Sequence, residues 1–309
     1  MAGNHRSRWM QWAGACAAGG AAHALACAAI AWLSVRPRPA AVPRDPASAG
    51  LHGEPIALVS SDGARLAGWL VWNPKVRPRA AVVLCHGVDG TRLDMVPAAR
   101  MLVQAGYATL LYDSRTRGAS GGRRATLGVR EPEDLGAAVR FLQSHPRTSG
   151  LPVGVLGASL GGATAILAAA ALPEVRAVVA ESAFSRLDRA IERHFRLWFG
   201  PVAPLLAGPS RRIGERLIGA PAHLVSPERA IARLGRRPVL LIHDADDRFC
   251  DALEADRLAR AASGPVERWT VPSAGHIEAV HVAPEEYRRR VVGFFDRHLT
   301  AQKPPAPRR

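Results

Sequence analysis

Between residues 51 and 300, short apolar runs alternate with longer stretches of helical spacing, and that alternation leaves few folds open. Candidate strands are 55–60, 65–72, 80–85, 107–112, 152–156, 176–181, 238–243 and 266–271. Helical stretches fall between them at 92–105, 131–145, 160–172, 252–262 and 284–298. Runs such as AAVVLC, ATLLY, VRAVVA and PVLLI are almost continuously apolar, as strands covered on both faces are. Pro132, followed by Glu133 and Asp134, is a good first helical turn, with acids at the positive end of the dipole. The pattern predicts an α/β fold: a mostly parallel sheet with helices on both faces.

Within that frame, Gly157-Ala158-Ser159-Leu160-Gly161 is a G-x-S-x-G motif. Alone it is weak, because glycine makes up 29 of 309 residues. Its setting strengthens it: the strand-like PVGVL precedes it and the helix-like GGATAILAAA follows it. A sharp strand-to-helix turn lifts a serine above the sheet edge, and it needs small neighbours because two backbones nearly touch. Ala158, Gly161 and Gly162 supply them.

A serine hydroxyl attacks a carbonyl only if a base takes its proton. His276, in Ser273-Ala274-Gly275-His276 after the last strand, would emerge on the same sheet edge as the serine. His86 ends an early strand, His145 ends a helix and His194 lies in an insertion, so each fits the role less well. The base needs a carboxylate to fix its tautomer. Asp244, Asp246 and Asp247 crowd the loop after strand 238–243; Asp247 is the first candidate and Asp246 the alternative. The order serine, aspartate, histidine is that of one hydrolase superfamily. Transition-state charge calls for two backbone N–H donors. Leu160, at the start of its helix, and Val88, in the loop His86-Gly87-Val88-Asp89-Gly90, are the candidates, with His86 read as structural. Chemistry of this kind needs neither a cofactor nor a metal.

The formal charge of +15 invites a nucleic-acid reading, but 39 of the 41 basic residues are arginines scattered along the chain, and no nucleic-acid motif accompanies them. No nucleic-acid partner is expected; attraction to anionic lipid fits better. Trp12–Val35 is an uncharged stretch of 24 residues, preceded by Arg6 and Arg8. Its length suffices to cross a bilayer, with Trp12 and Trp32 near the two ends, although eleven of its residues are alanine. Residues 1–35 are read as a membrane anchor, with a cleaved signal peptide and a soluble helix as alternatives. The expected location is membrane-anchored with the catalytic domain outside the cytoplasm, or secreted if the segment is cleaved. Residues 36–50 (RPRPAAVPRDPASAG) read as an extended, solvated linker, and 301–309 as a similar basic tail.

CHGVDGTR (85–92), YDSRTRGASGG (112–122), GVREPEDLGAAVRFL (128–142), GASLGG (157–162), PVLLIHDADDRFC (238–250) and SAGH (273–276) together resemble the α/β-hydrolases. The likeness is strongest to the bacterial membrane-anchored or secreted group related to prolyl-oligopeptidase-like and Bem46-like hydrolases, and it covers about residues 52–300. The resemblance implies an eight-stranded sheet, a Ser159–Asp247–His276 triad and oxyanion donors at Val88 and Leu160. The group's acid follows an HG-x-x-D pattern, and counting from His243 reaches Asp247; here Asp244 stands in place of the glycine. The arginine-rich loop at Arg115 and Arg117 also departs from the group's pattern, with Thr116 where glycine is common, and is read as structural. Residues 185–225 correspond to a helical cap, in which Phe195, Trp198 and Phe199 are candidate walls for an acyl chain. The implied activity is serine-dependent ester hydrolysis on a small-molecule acyl substrate. Peptidase or thioesterase chemistry is the enzymatic alternative, and a silent membrane-anchored binding domain is a third.

Overall fold

The structure, a computed structural model, describes the backbone of residues 3–300 and the side chains from Ala18 onward. The tail 301–309 and the side chains of Arg6, Arg8 and Trp12 lie outside the described residues. Eight strands build one sheet: β1 (Gly53–Val59), β2 (Arg65–Val71), β3 (Ala81–Cys85), β4 (Ala108–Tyr112), β5 (Val153–Ala158), β6 (Val175–Glu181), β7 (Val239–Asp244) and β8 (Val266–Val271). Their order is β8-β7-β6-β5-β3-β4-β2-β1. Only β2 runs antiparallel to its neighbours; every other pairing is parallel.

The helices are α1 (Gly3–Val35), α2 (Val96–Gln104), α3 (Glu131–Ser144), α4 (Leu160–Ala171), α5 (Leu187–Phe199), α6 (Ala203–Ile218), α7 (Ala252–Ala261) and α8 (Pro284–Phe295), with shorter turns between some of them. The period-two geometry of a strand divides β3 between two cores. Ala81, Val83 and Cys85 join Leu135, Leu142, Ile166 and Leu258 of α3, α4 and α7 on one face. Val82 and Leu84 join Met101, Leu102, Val291 and Phe294 of α2 and α8 on the other. All five β3 side chains are buried, which is why the run carries no polar alternation.

The 36–50 segment departs from the solvated linker expected of its prolines. Arg38–Pro39 pairs in parallel with Arg117–Gly118, Pro46 is buried, and the Trp69 indole N–H donates to the Arg44 carbonyl at 2.8 Å. Proline lacks a donor but keeps its carbonyl, so a proline-rich strip can still dock through accepted bonds: the buried Arg92 donates to Pro43 O at 2.9 Å. Before it, α1 contains one stretch, Ala18–Val35, long and apolar enough to cross a membrane. The end of α1 is not free. Cys27, Ala31 and Val35 are buried, and α1 packs along α6.

Candidate active site

β5 delivers Ser159 to the edge of the sheet through a turn with no room in it. A Cβ on Gly157 would sit 2.2 Å from Gly161 O, and one on Gly161 would sit 2.2 Å from Cys85 O. Ser159 itself takes φ 54° and ψ −119°, a left-handed conformation costing a side-chain-bearing residue about 1–3 kcal/mol. The surrounding bonds hold it there: its N–H donates to Glu181 O at 2.8 Å, and its carbonyl accepts from Ala163 N at 3.0 Å.

Two loops converge on this serine. His276, after β8, meets the Ser159 Oγ through Nε2 at 2.8 Å, and its Nδ1 meets Asp247 Oδ2 at 2.6 Å. The Asp247 side chain is buried. Its Oδ1 accepts the N–H groups of Phe249 at 2.7 Å and Cys250 at 2.9 Å. Burial alone would raise the Asp247 pKa, but the bond and charge of His276 and the backbone donors outweigh it, so the carboxyl lies below its ordinary value. Asp246, the alternative acid, is exposed, and only its N–H is engaged in the loop, donating to Ala274 O. The substituted glycine, Asp244, turns inward instead and accepts from the Ser182 hydroxyl at 3.1 Å.

The candidate donors flank the serine. Leu160 is the first residue of α4, where an N–H has no partner within the helix. The loop carrying Val88 lies against the nucleophile: a Cβ on Gly87 would be 3.5 Å from the Ser159 Cβ. Among the described residues neither the Val88 nor the Leu160 N–H donates to a protein acceptor. Arg117, itself buried, donates to Val88 O at 2.6 Å and so fixes that peptide plane. His86 braces the same loop, its Nδ1–H donating to Gly87 O at 2.6 Å and its Nε2 accepting Ser114 N–H at 2.9 Å. Burial depresses its pKa, in keeping with a neutral ring that donates at one nitrogen and accepts at the other. Arg115 pairs with buried Asp134 at 2.6 Å and with Asp62 at 2.8 Å, so both arginines of this loop are occupied in structure.

Cys250 Sγ and the ligand atoms of Asp247 and His276 lie within 4.8 Å of one another. Here the carboxylate and imidazole are committed to each other, and burial holds the Cys250 thiol well above its ordinary value and so protonated. The grouping suits a proton relay better than a metal.

The cap aromatics expected as an acyl wall, Phe195, Trp198 and Phe199, all lie on α5. The i, i+4 geometry of α5 pairs Phe195 with Phe199, ring centres 5.4 Å apart, and His194 with Trp198, 5.5 Å apart. Phe195 is buried and Trp198 is 65% exposed. Leu160 shares a buried apolar cluster with Phe184 and Leu187, against which Ile191 and Val88 pack. Sequence reasoning also missed Phe249, whose ring lies 5.2 Å from His276 and 5.1 Å from His194. Its only signal was its place two residues after the acid. Arg193 fastens the cap here, pairing with Asp251 at 2.5 Å and donating to Arg248 O at 2.6 Å.

The family described as serine aminopeptidase S33 matches residues 76–217. The Bacillus subtilis protein YqkD is 30% identical over 219 residues, covering 70% of this chain and 70% of its own. The Mycobacterium tuberculosis protein Rv2307c is 31% identical over 239 residues, covering 77% and 78%. Among solved structures, the Pyrococcus furiosus esterase Pf2001 superposes with a TM-score of 0.71 at 25% identity, covering 86% of this chain and all of that one.

Proposed function

Because the chain belongs to the α/β-hydrolase superfamily of serine hydrolases, we propose that it hydrolyses a carboxylic ester through an acyl-enzyme on Ser159. Support comes above all from the unbroken chain of hydrogen bonds from Ser159 Oγ through His276 to Asp247. As the serine oxygen bonds to the substrate carbonyl carbon, its proton passes to His276 Nε2. Asp247 holds the opposite nitrogen protonated and stabilises the imidazolium. The carbonyl oxygen gathers negative charge between the Val88 and Leu160 N–H groups, which need no reorganisation to receive it. When the intermediate collapses, the carbon–oxygen bond to the alcohol breaks and His276 returns the proton to the leaving oxygen. Water then attacks the acyl-enzyme, gives its proton to His276, and releases the acid as Ser159 recovers a proton.

An ester is favoured over an amide or thioester by the kinship with Pf2001, which is described as an esterase. We read α1 as an uncleaved membrane anchor, since its last turns are packed into the domain. The test is hydrolysis of nitrophenyl esters of graded chain length by the full chain in detergent, beside aminoacyl anilides and acyl thioesters. Esters turned over best, with loss of turnover in His276→Ala, are expected; an anilide preferred over every ester would replace the esterase reading with a peptidase.

A further inference from the structure

Four of the five exposed large apolar side chains of the cap are gathered at one end of it, Leu224 lying apart at the other. Leu197, Trp198, Val202 and Leu205 are 43%, 65%, 50% and 67% exposed, and all lie where α5 turns into α6. A contiguous apolar tip of this kind marks an interaction surface. We propose that this tip seats in the headgroup region of an anionic lipid bilayer, beside the point where α1 enters it. The proposal rests on reading α1 as the anchor.

The packing of α1 on α6 gives the direction. Cys27 Sγ lies 3.9 Å from Leu206 O, near the start of α6, while Val35 and Ile218 share an apolar cluster at its end. The two helices therefore run side by side in the same sense. The α5–α6 turn lies at the end from which the earlier part of α1 leaves the domain. That part ends in an uncharged portion, residues 9–26, about 27 Å long at 1.5 Å per residue, close to a hydrocarbon core of about 30 Å, with Arg6 and Arg8 beyond it. A membrane crossed by it would lie against the tip.

Charge names the surface. Between Glu192 and Glu215 the cap carries Arg193, Arg196, Arg211 and Arg212; Arg193 pairs with Asp251 and Arg211 with Glu215, while Arg196 and Arg212 are exposed and form no ion pair among the described residues. Apolar side chains flanked by arginine suit the boundary between acyl chains and anionic headgroups. A second copy is the poorer occupant: a two-fold contact through this tip would set like-charged arginines against each other. The tip also adjoins the candidate site. Trp198 reaches His276 through ring contacts with His194 and Phe249 at 5.5, 5.1 and 5.2 Å. The substrates this arrangement would take are esters resident in the membrane.

The experiment uses the full chain reconstituted in phosphatidylcholine vesicles with and without phosphatidylglycerol. Lipids brominated near the headgroup should quench wild-type tryptophan fluorescence more than that of Trp198→Tyr, and the difference should grow with phosphatidylglycerol. Val202→Glu/Leu205→Glu should abolish the difference. It should also lower turnover of a long-chain ester dissolved in the bilayer by about five-fold or more while a soluble acetate ester changes less than about two-fold. Equal quenching of wild type and Trp198→Tyr overturns the proposal, as does cross-linking that finds the tip buried between two copies. Quenching is read without turnover, so an inactive wild type would contradict the esterase reading while leaving the docking to be decided by fluorescence. Release of the full chain by high salt would remove the anchor on which the proposal depends.

Discussion

Asp246 and Asp247 are neighbours in the chain, and one peptide step separates a solvated carboxylate from one buried against an imidazole. Asp247→Asn keeps the shape but presents a donor where His276 Nδ1 also donates, which forces the wrong tautomer. We expect it to lower kcat by on the order of 10³–10⁴ with KM little changed, while Asp246→Asn stays within about two-fold. Steady-state kinetics on a short ester checks this; a worse Asp246 variant would reverse the assignment. The count from His243 pointed to Asp247 only through the resemblance to the group's HG-x-x-D pattern; the crowded loop by itself left Asp246 open. The inward turn of Asp244 was not legible, since it depends on Ser182 arriving from β6.

At the scale of elements, the elbow depends on two backbones in near contact. Gly161→Ala would drive a Cβ into the Cys85 carbonyl of β3, the strand beside β5. We expect a loss of about 3 kcal/mol or more in denaturant unfolding, or no soluble protein; an unperturbed midpoint would mean that the turn is looser than described. A second joint ties β6 to the histidine loop. Glu181 accepts from Ala279 N–H at 3.3 Å and from the Tyr287 hydroxyl at 3.1 Å. Burial, then the charge of Asp244, pushes its pKa from 4.5 up to about 8. The fold therefore holds a proton that the unfolded chain has released. Its stabilising contribution is full below about pH 4.5 and is lost as pH rises towards 8. Thermal melts of Glu181→Gln should accordingly fall less over that interval than those of the wild type; parallel curves would contradict the assignment. The eight strands were readable because their apolar runs are continuous. The directions of the α5 aromatics were not readable, because they depend on what Arg193 ties that helix to, a contact made across the fold.

At the scale of the molecule, the last turns of the N-terminal helix and the proline-rich segment pack onto the same body as the sheet. Length and composition made a membrane-crossing stretch visible in the sequence, whereas the docking of 36–50 was hidden because it is made through backbone N–H and C=O groups, which the side-chain pattern does not reveal. The full chain should remain with membranes through a high-salt wash, checked by fractionation; release by salt would leave only a surface-charge association. Everything proposed about chemistry depends on one activated serine. The most direct measurement is the intact mass of the full chain after reaction with a fluorophosphonate, followed by peptide mapping. A single adduct on Ser159, absent from Ser159→Ala, is the predicted result; an adduct on another residue, or labelling that persists in Ser159→Ala, would contradict it.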